Sequence, residues 1–345
     1  MKKSKIAFAA ASALLLTTSL SYSQTTISGN MRIGYKANES KLNPQYSGGM
    51  FTKETQLNIA NKGKTNLGLD YEAGFSLEFD GNDGATVGAT TEGNYISFIN
   101  PSSATTIAFS SDRVKPSDVD YHDILGTPAS IGNVSAFTAA ATDTFYNGTM
   151  SGKGKSDAFS VGIVQGLSNL LTVSAVYIPD TGAQLGDSGG SDMNASTSTN
   201  SKYDIGARGS LGVKGLDVHA GYNKQDGTGT DKDIKYDTQG IKYTMGQITV
   251  AAQQASATYN TNGSKMKSKE FGLAYAVTPT LTIGYANITT DESQAATVKE
   301  KIQGIAIGYN LGPVALSTVA TKVDDHRGVS GTDGKAIIVQ LQTTF

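Results

Sequence analysis

Short segments of strict two-residue alternation recur along almost the whole chain, and this pattern leaves few folds open. The last segment shows it best. Ile337, Val339, Leu341, Thr343 and Phe345 take one parity; Ile338, Gln340, Gln342 and Thr344 take the other. Such alternation makes a strand with one greasy and one wetter face. Ile27, Met31, Ile33 and Tyr35 alternate with Thr26, Ser28, Asn30 and Arg32 in the same way. Leu67, Leu69, Tyr71, Phe75, Leu77 and Phe79 alternate with Gly68, Asp70, Glu72, Ser76 and Glu78. Segments of about ten residues suffice to cross an outer membrane as tilted strands.

The pattern predicts sixteen strands, near 26-36, 51-60, 65-80, 93-99, 105-110, 157-165, 170-178, 202-211, 216-225, 234-245, 247-259, 268-277, 280-289, 299-311, 313-323 and 335-345. Every second connector is short, as at Asn61 to Lys64, Gly246 or Gly312. The others are longer and polar, the longest running from about Ser111 to Ser156. Thr144 to Met150, inside that stretch, is open to a strand reading as well. Short turns alternating with long loops, both termini on the short-turn side, are the layout of a closed all-β transmembrane barrel. A soluble sandwich has no reason to sort its loops by length.

Parity also assigns the faces. The wetter face carries Arg32, Glu54, Asp70, Glu72, Glu78, Asp80, Asp204, Arg208, Asp217, His219 and Lys242. The apolar face carries Tyr35, Tyr177, Tyr203, Tyr222, Tyr243, Tyr275, Tyr285 and Tyr309. Aromatic rings with one polar end suit a membrane–water girdle. Sixteen strands enclose a cylinder too wide for side chains to fill, so the polar face is expected to line water.

The N-terminus reads as an export signal rather than as fold. Lys2, Lys3 and Lys5 precede an apolar stretch from Ile6 to Leu20, and Ser21-Tyr22-Ser23 supplies small residues for cleavage after Ser23. Residues 1-23 are therefore expected to be a signal peptide and 24-345 the barrel. Cysteine is absent, so no disulfide or thiolate metal site is available. A formal charge of -2 gives no basic footprint for nucleic acid. No G-x-S-x-G elbow, phosphate-binding loop or calcium loop survives inspection. His122 and His326 read as solvated loop residues and His219 as a residue of the inner wall. No catalytic residue, cofactor or metal is expected.

Three places carry a resemblance to a known family. Thr25 to Ser40 (TTISGNMRIGYKANES), Leu57 to Phe79 (LNIANKGKTNLGLDYEAGFSLEF) and the closing KAIIVQLQTTF resemble the first, second to third and last strands of the general Gram-negative trimeric porins. The resemblance implies a diffusion channel for ions and small hydrophilic solutes in the outer membrane, built as a homotrimer. Its partners would be outer-membrane lipid, lipopolysaccharide and the barrel-assembly machinery, with Phe345 as the assembly signal. It also implies a third long loop folded into the pore, whose acids here are Asp112, Asp118, Asp120 and Asp123, facing a wall of Arg32, Glu54, Asp70, Glu72, Arg208 and Lys242. The arginine cluster common in the family is reduced to Arg32, with Lys36 above it. A surplus of inward acids then predicts a weak preference for cations. The alternatives on the same fold are a substrate-preferring channel, which wants inward aromatics, and a plugged barrel serving as an adhesin or enzyme platform.

Overall fold

The computed structural model describes residues 23–40, 48–79, 90–110, 114–117, 160–179, 201–226, 233–259, 264–293 and 298–345. Sixteen strands follow one another: β1 (Gln24–Ser40), β2 (Gly48–Lys64), β3 (Asp70–Glu78), β4 (Thr90–Asn100), β5 (Thr105–Ser110), β6 (Ser160–Ser168), β7 (Leu171–Ile178), β8 (Lys202–Gly209), β9 (Leu216–Gln225), β10 (Ile234–Met245), β11 (Ile248–Tyr259), β12 (Ser264–Ala276), β13 (Leu281–Glu292), β14 (Glu300–Asn310), β15 (Val314–Asp324) and β16 (Gly334–Thr344). Each pairs antiparallel with its chain neighbours, and β1 pairs with β16, so the sheet closes into a barrel. Closure satisfies the backbone groups that an open edge would leave unpaired in lipid.

The seam is joined by Gly29 and Phe345. The Gly29 N–H donates to the Phe345 carbonyl at 2.8 Å, and the Phe345 N–H returns a bond to Gly29 at 3.0 Å. The Phe345 ring lies over the bare Cα of Gly29, where an added Cβ would be 2.6 Å from the ring. The terminal aromatic thus fills the gap left by the glycine beside it.

Because paired residues share a face, parity propagates around the ring. The apolar parity faces outward and stays exposed: Phe51 is 83% exposed, Ile305 55% and Leu341 46%. A continuous greasy belt of this kind is stable against lipid and costly in water. All eight tyrosines expected on the greasy face are there: Tyr35, Tyr177, Tyr203, Tyr222, Tyr243, Tyr275, Tyr285 and Tyr309 share parity with the exposed apolar residues of their strands. Short turns close one end. One two-residue turn, Gly246-Gln247, joins β10 to β11, and Gly246 takes a φ of 59° that its lack of a Cβ makes easy.

The boundaries differ from the sequence expectation at two places that matter for the wall. Asn61 to Lys64 is not a turn: β2 continues through Lys64, and the turn is formed by residues 65–69. Leu67 accordingly sits on the turn, 71% exposed, and not in β3. The reason is that Lys62 and Lys64 point inward and meet Glu72 and Asp70 across the β2–β3 pair, so polar residues extend the ladder. β12 begins at Ser264 rather than at 268, because Lys265 and Lys267 keep the two-residue alternation with Met266 and Ser268. The stretch Thr144 to Met150 lies outside the described residues.

Candidate functional site: the inner wall

The inner wall divides into two halves. From β1 to β3 the inward row is polar, and its charged side chains are partly open to water. Arg32 donates to Glu54 at 3.1 Å and to the Gln342 side chain at 3.1 Å, the ion pair being about one-third exposed. Lys62 stands 3.5 Å from Glu72, whose carboxylate also accepts the Tyr95 hydroxyl at 2.6 Å. Lys64 pairs with Asp70. Near the short-turn mouth on the other side, Asp217 holds Arg208 at 2.6 Å and Lys242 at 3.6 Å. All six expected wall residues, Arg32, Glu54, Asp70, Glu72, Arg208 and Lys242, therefore face inward, each with a counter-charge.

Lys62 and Lys64 are two wall residues that sequence reading missed; Lys202, Glu292 and Glu300, also inward, are others. Placing a turn at Asn61 to Lys64 removed two inward cations from the count. The signal was available: both keep the parity of Glu54, Gln56 and Asn58. With them included, acids and cations on β1 to β3 are interleaved and balanced, Glu54, Asp70, Glu72 and Glu78 against Arg32, Lys36, Lys62 and Lys64.

Away from the short-turn mouth, many inward residues from β8 to β15 are buried instead. Asp204 is 1% exposed, Asn223 2%, Glu270 4% and His219 5%. His219 lies within 3.2 Å of the Thr238 hydroxyl. Asp204, His219 and Asn223 therefore do not line open water, whereas Arg208 nearer the short-turn mouth is exposed. Tyr95 and Tyr236 face inward, the latter buried, so the wall is not free of aromatics. His326 is a correction: it is buried, not solvated, because the last loop wraps it in a 3₁₀ turn from His326 to Gly328. Its N–H donates to the Thr332 carbonyl at 2.8 Å, and the neighbouring Arg327 N–H reaches Glu300 at 2.9 Å. His122, Asp112, Asp118, Asp120 and Asp123 lie outside the described residues.

The segment 114–117, just past β5, lies against the inside of the barrel. Val114 packs on Val176 and Ile178. A Cβ on Gly162 would be 2.9 Å from Val114, one on Gly206 2.3 Å from the Pro116 carbonyl, and one on Gly221 2.6 Å from the Ser117 backbone. These glycines on β6, β8 and β9 form a shallow track on which the chain crosses the wall. Their missing side chains let backbone meet backbone. Among the described residues no cluster of His, Asp and Glu could hold a metal ion.

Comparison with known proteins agrees with this architecture. A family model described as Gram-negative porin matches residues 9–328. Among solved structures, an engineered variant of the Rh. blastica porin aligns with a TM-score of 0.64 at 16% identity, covering 93% of this chain and 100% of the other. OmpT of Vibrio cholerae lacking its loop L8, an outer-membrane protein, aligns with a TM-score of 0.64 at 13% identity, covering 94% and 99%. No curated protein sequence matches. Since the family model spans nearly the whole barrel, the chain belongs to the Gram-negative porin family.

Proposed function

We propose that the protein works as a general diffusion channel of the outer membrane in which solutes pass along the open half of the wall, beside β1 to β3. One observation carries this reading: a closed barrel, greasy outside, whose inward face there is charged and water-exposed. An ion or small polar solute leaving bulk water exchanges some hydration for contacts with Arg32, Glu54, Lys62, Glu72 and Tyr95. Because each charge is already paired, no single site binds tightly enough to stop transit. The family and fold speak for a channel rather than an enzyme.

Selectivity then falls to the loop after β5. Its acids Asp112, Asp118, Asp120 and Asp123 outnumber Arg113 and Lys115, and this supports a weak cation preference. The track of Gly162, Gly206 and Gly221 supports an inward course for the loop. Cleavage after Ser23, assembly as a homotrimer, and insertion by the barrel-assembly machinery reading Phe345 complete the proposal. They rest on the N-terminal pattern, the family and the terminal aromatic. The burial of the inward wall from β8 to β15 favours a second reading, a barrel plugged well enough to act as a platform.

Reversal potentials of the folded protein in a potassium chloride gradient test the selectivity. A potential of the sign for cation passage is expected, and its loss on neutralising the four loop aspartates. Anion preference in the unaltered protein would overturn it. Absence of any current from inserted protein would promote the platform.

A further inference from the structure

Between the Arg32–Glu54 and Lys62–Glu72 pairs, β1 and β2 carry a stretch of uncharged polar side chains. Along β2 the inward residues run Glu54, Gln56, Asn58, Ala60 and Lys62. Gln56 stands opposite Asn30 of β1, and Asn58 stands between Ser28 of β1 and Ser76 of β3. None of these five side chains, Ser28, Asn30, Gln56, Asn58 and Ser76, is buried.

Their bonds fix which end of each amide is left over. Asn30 Nδ2 donates to Gln56 Oε1 at 2.9 Å, the Ser76 hydroxyl donates to Asn58 Oδ1 at 2.6 Å, and Arg32 Nε donates to Gln342 Oε1 at 3.1 Å. Each bond uses the accepting oxygen. Among the described residues, the NH2 groups of Gln56, Asn58 and Gln342 make no hydrogen bond. An amide NH2 carries two donors, so the wall offers the lumen a row of donors whose oxygens are already held. Gln56 and Asn58 are two residues apart, about 7 Å along the strand and about 5 Å along the pore axis at a tilt of about 40°. One row nearer the short turn, Tyr95 leans over Gly74, where an added Cβ would be 3.0 Å from its hydroxyl, and the ring is only half-buried.

The pattern discriminates among solutes. A cation meets donors where it needs acceptors. An anion meets the donors but also the carboxylates of Glu54, next along β2, and Glu78, opposite Gln56. A neutral hydroxyl uses both: its oxygen accepts from an amide, and its hydrogen goes to a carboxylate, which has lone pairs beyond those that Arg32 engages. The face of Tyr95 beside the donors suits the C–H side of a sugar ring. We propose that Gln56, Asn58 and Gln342, with Tyr95, form a weak binding track for neutral polyhydroxylated solutes, sugars and their short oligomers. It rests on the channel reading and names the solute class that the open wall favours.

Salt current through the folded full-length protein in a planar bilayer is titrated with maltotriose. A methyl-capped polyethylene glycol of the same hydrodynamic size, which accepts hydrogen bonds but donates none, is titrated in parallel. The sugar should lower the current along a saturating curve, beyond its effect on bulk conductivity, and the polymer should not saturate. Gln56→Met combined with Asn58→Leu should weaken the apparent sugar affinity about tenfold, the expectation for two neutral hydrogen bonds lost. Should that pair fail to insert, Asn58→Ala alone should weaken it by about threefold. Open channels that sugar and polymer reduce alike, or variants that keep the unaltered affinity, would overturn the track and leave the channel standing. No current from inserted protein would overturn the channel reading, and the track with it.

Discussion

At the scale of single residues, Gly29 and Phe345 show how a period-two pattern becomes a closed wall. Replacing Gly29 with Ala would place a methyl 2.6 Å from both the Gln56 carbonyl and the Phe345 ring. Overpacking of this kind costs about 1–3 kcal/mol. It falls on the seam, so Gly29→Ala and deletion of Phe345 should both lower the folded, heat-modifiable fraction in the outer membrane. Normal levels of either variant would contradict this role of the seam. Arg32→Ala removes the cation that Glu54 and Gln342 share across the open wall. Stability should change by no more than about 1 kcal/mol, because the pair is partly solvated. The reversal potential should move toward cations, which a salt-gradient measurement reads directly. That Arg32, Glu54, Asp70, Glu72, Arg208 and Lys242 face inward was legible, since parity alone sets the face of a strand residue. Their partners were not: Arg32 meets Gln342 only because the chain's two ends are sewn together.

At the scale of elements, strand ends were the least legible feature. Lysines read as loop where they in fact lengthen β2 and β12, because hydrophilic strand residues look like loop until their partners across the ladder are known. The glycine track was likewise invisible, for nothing in Gly162, Gly206 or Gly221 names the chain that crosses them. Gly206→Val or Gly221→Val should lift residues 116 and 117 off the wall toward the lumen and lower single-channel conductance, at a stability cost of about 1–3 kcal/mol. An unchanged conductance would show that this segment does not set the pore. A second element-scale prediction concerns the staple between β8 and β9. Asp226, just past β9, accepts the Lys224 ammonium at 2.7 Å and the Ser201 hydroxyl at 2.7 Å. First Lys224 and then Ser201 hold its carboxyl below the usual carboxylate range. A lowered pKa in the fold means the contribution is complete above the ordinary aspartate value of about 3.9 and is lost as pH falls through the lowered one. Amide exchange at Asp226, compared with Asp226→Asn at each pH, should show protection that falls only in acid and only in the unaltered protein. A parallel response of both would refute it.

At the scale of the whole molecule, strand number, closure and the sorting of short turns from long loops all followed from alternation and loop length. These are global consequences of a local period, and the family match and solved relatives agree with them. The division of the inner wall into an open half and a buried half was not legible. It depends on contacts between distant parts of the chain, as where residues 114–117 lie on β6, β8 and β9, and alternation carries no information about those. The division also sharpens the central claim, because transit needs only the open half. Planar-bilayer recording of the purified, folded protein tests it most directly. Large ohmic steps, closing in three equal levels if the barrel is a trimer, are the predicted result; no current from protein shown to be folded and inserted would contradict it.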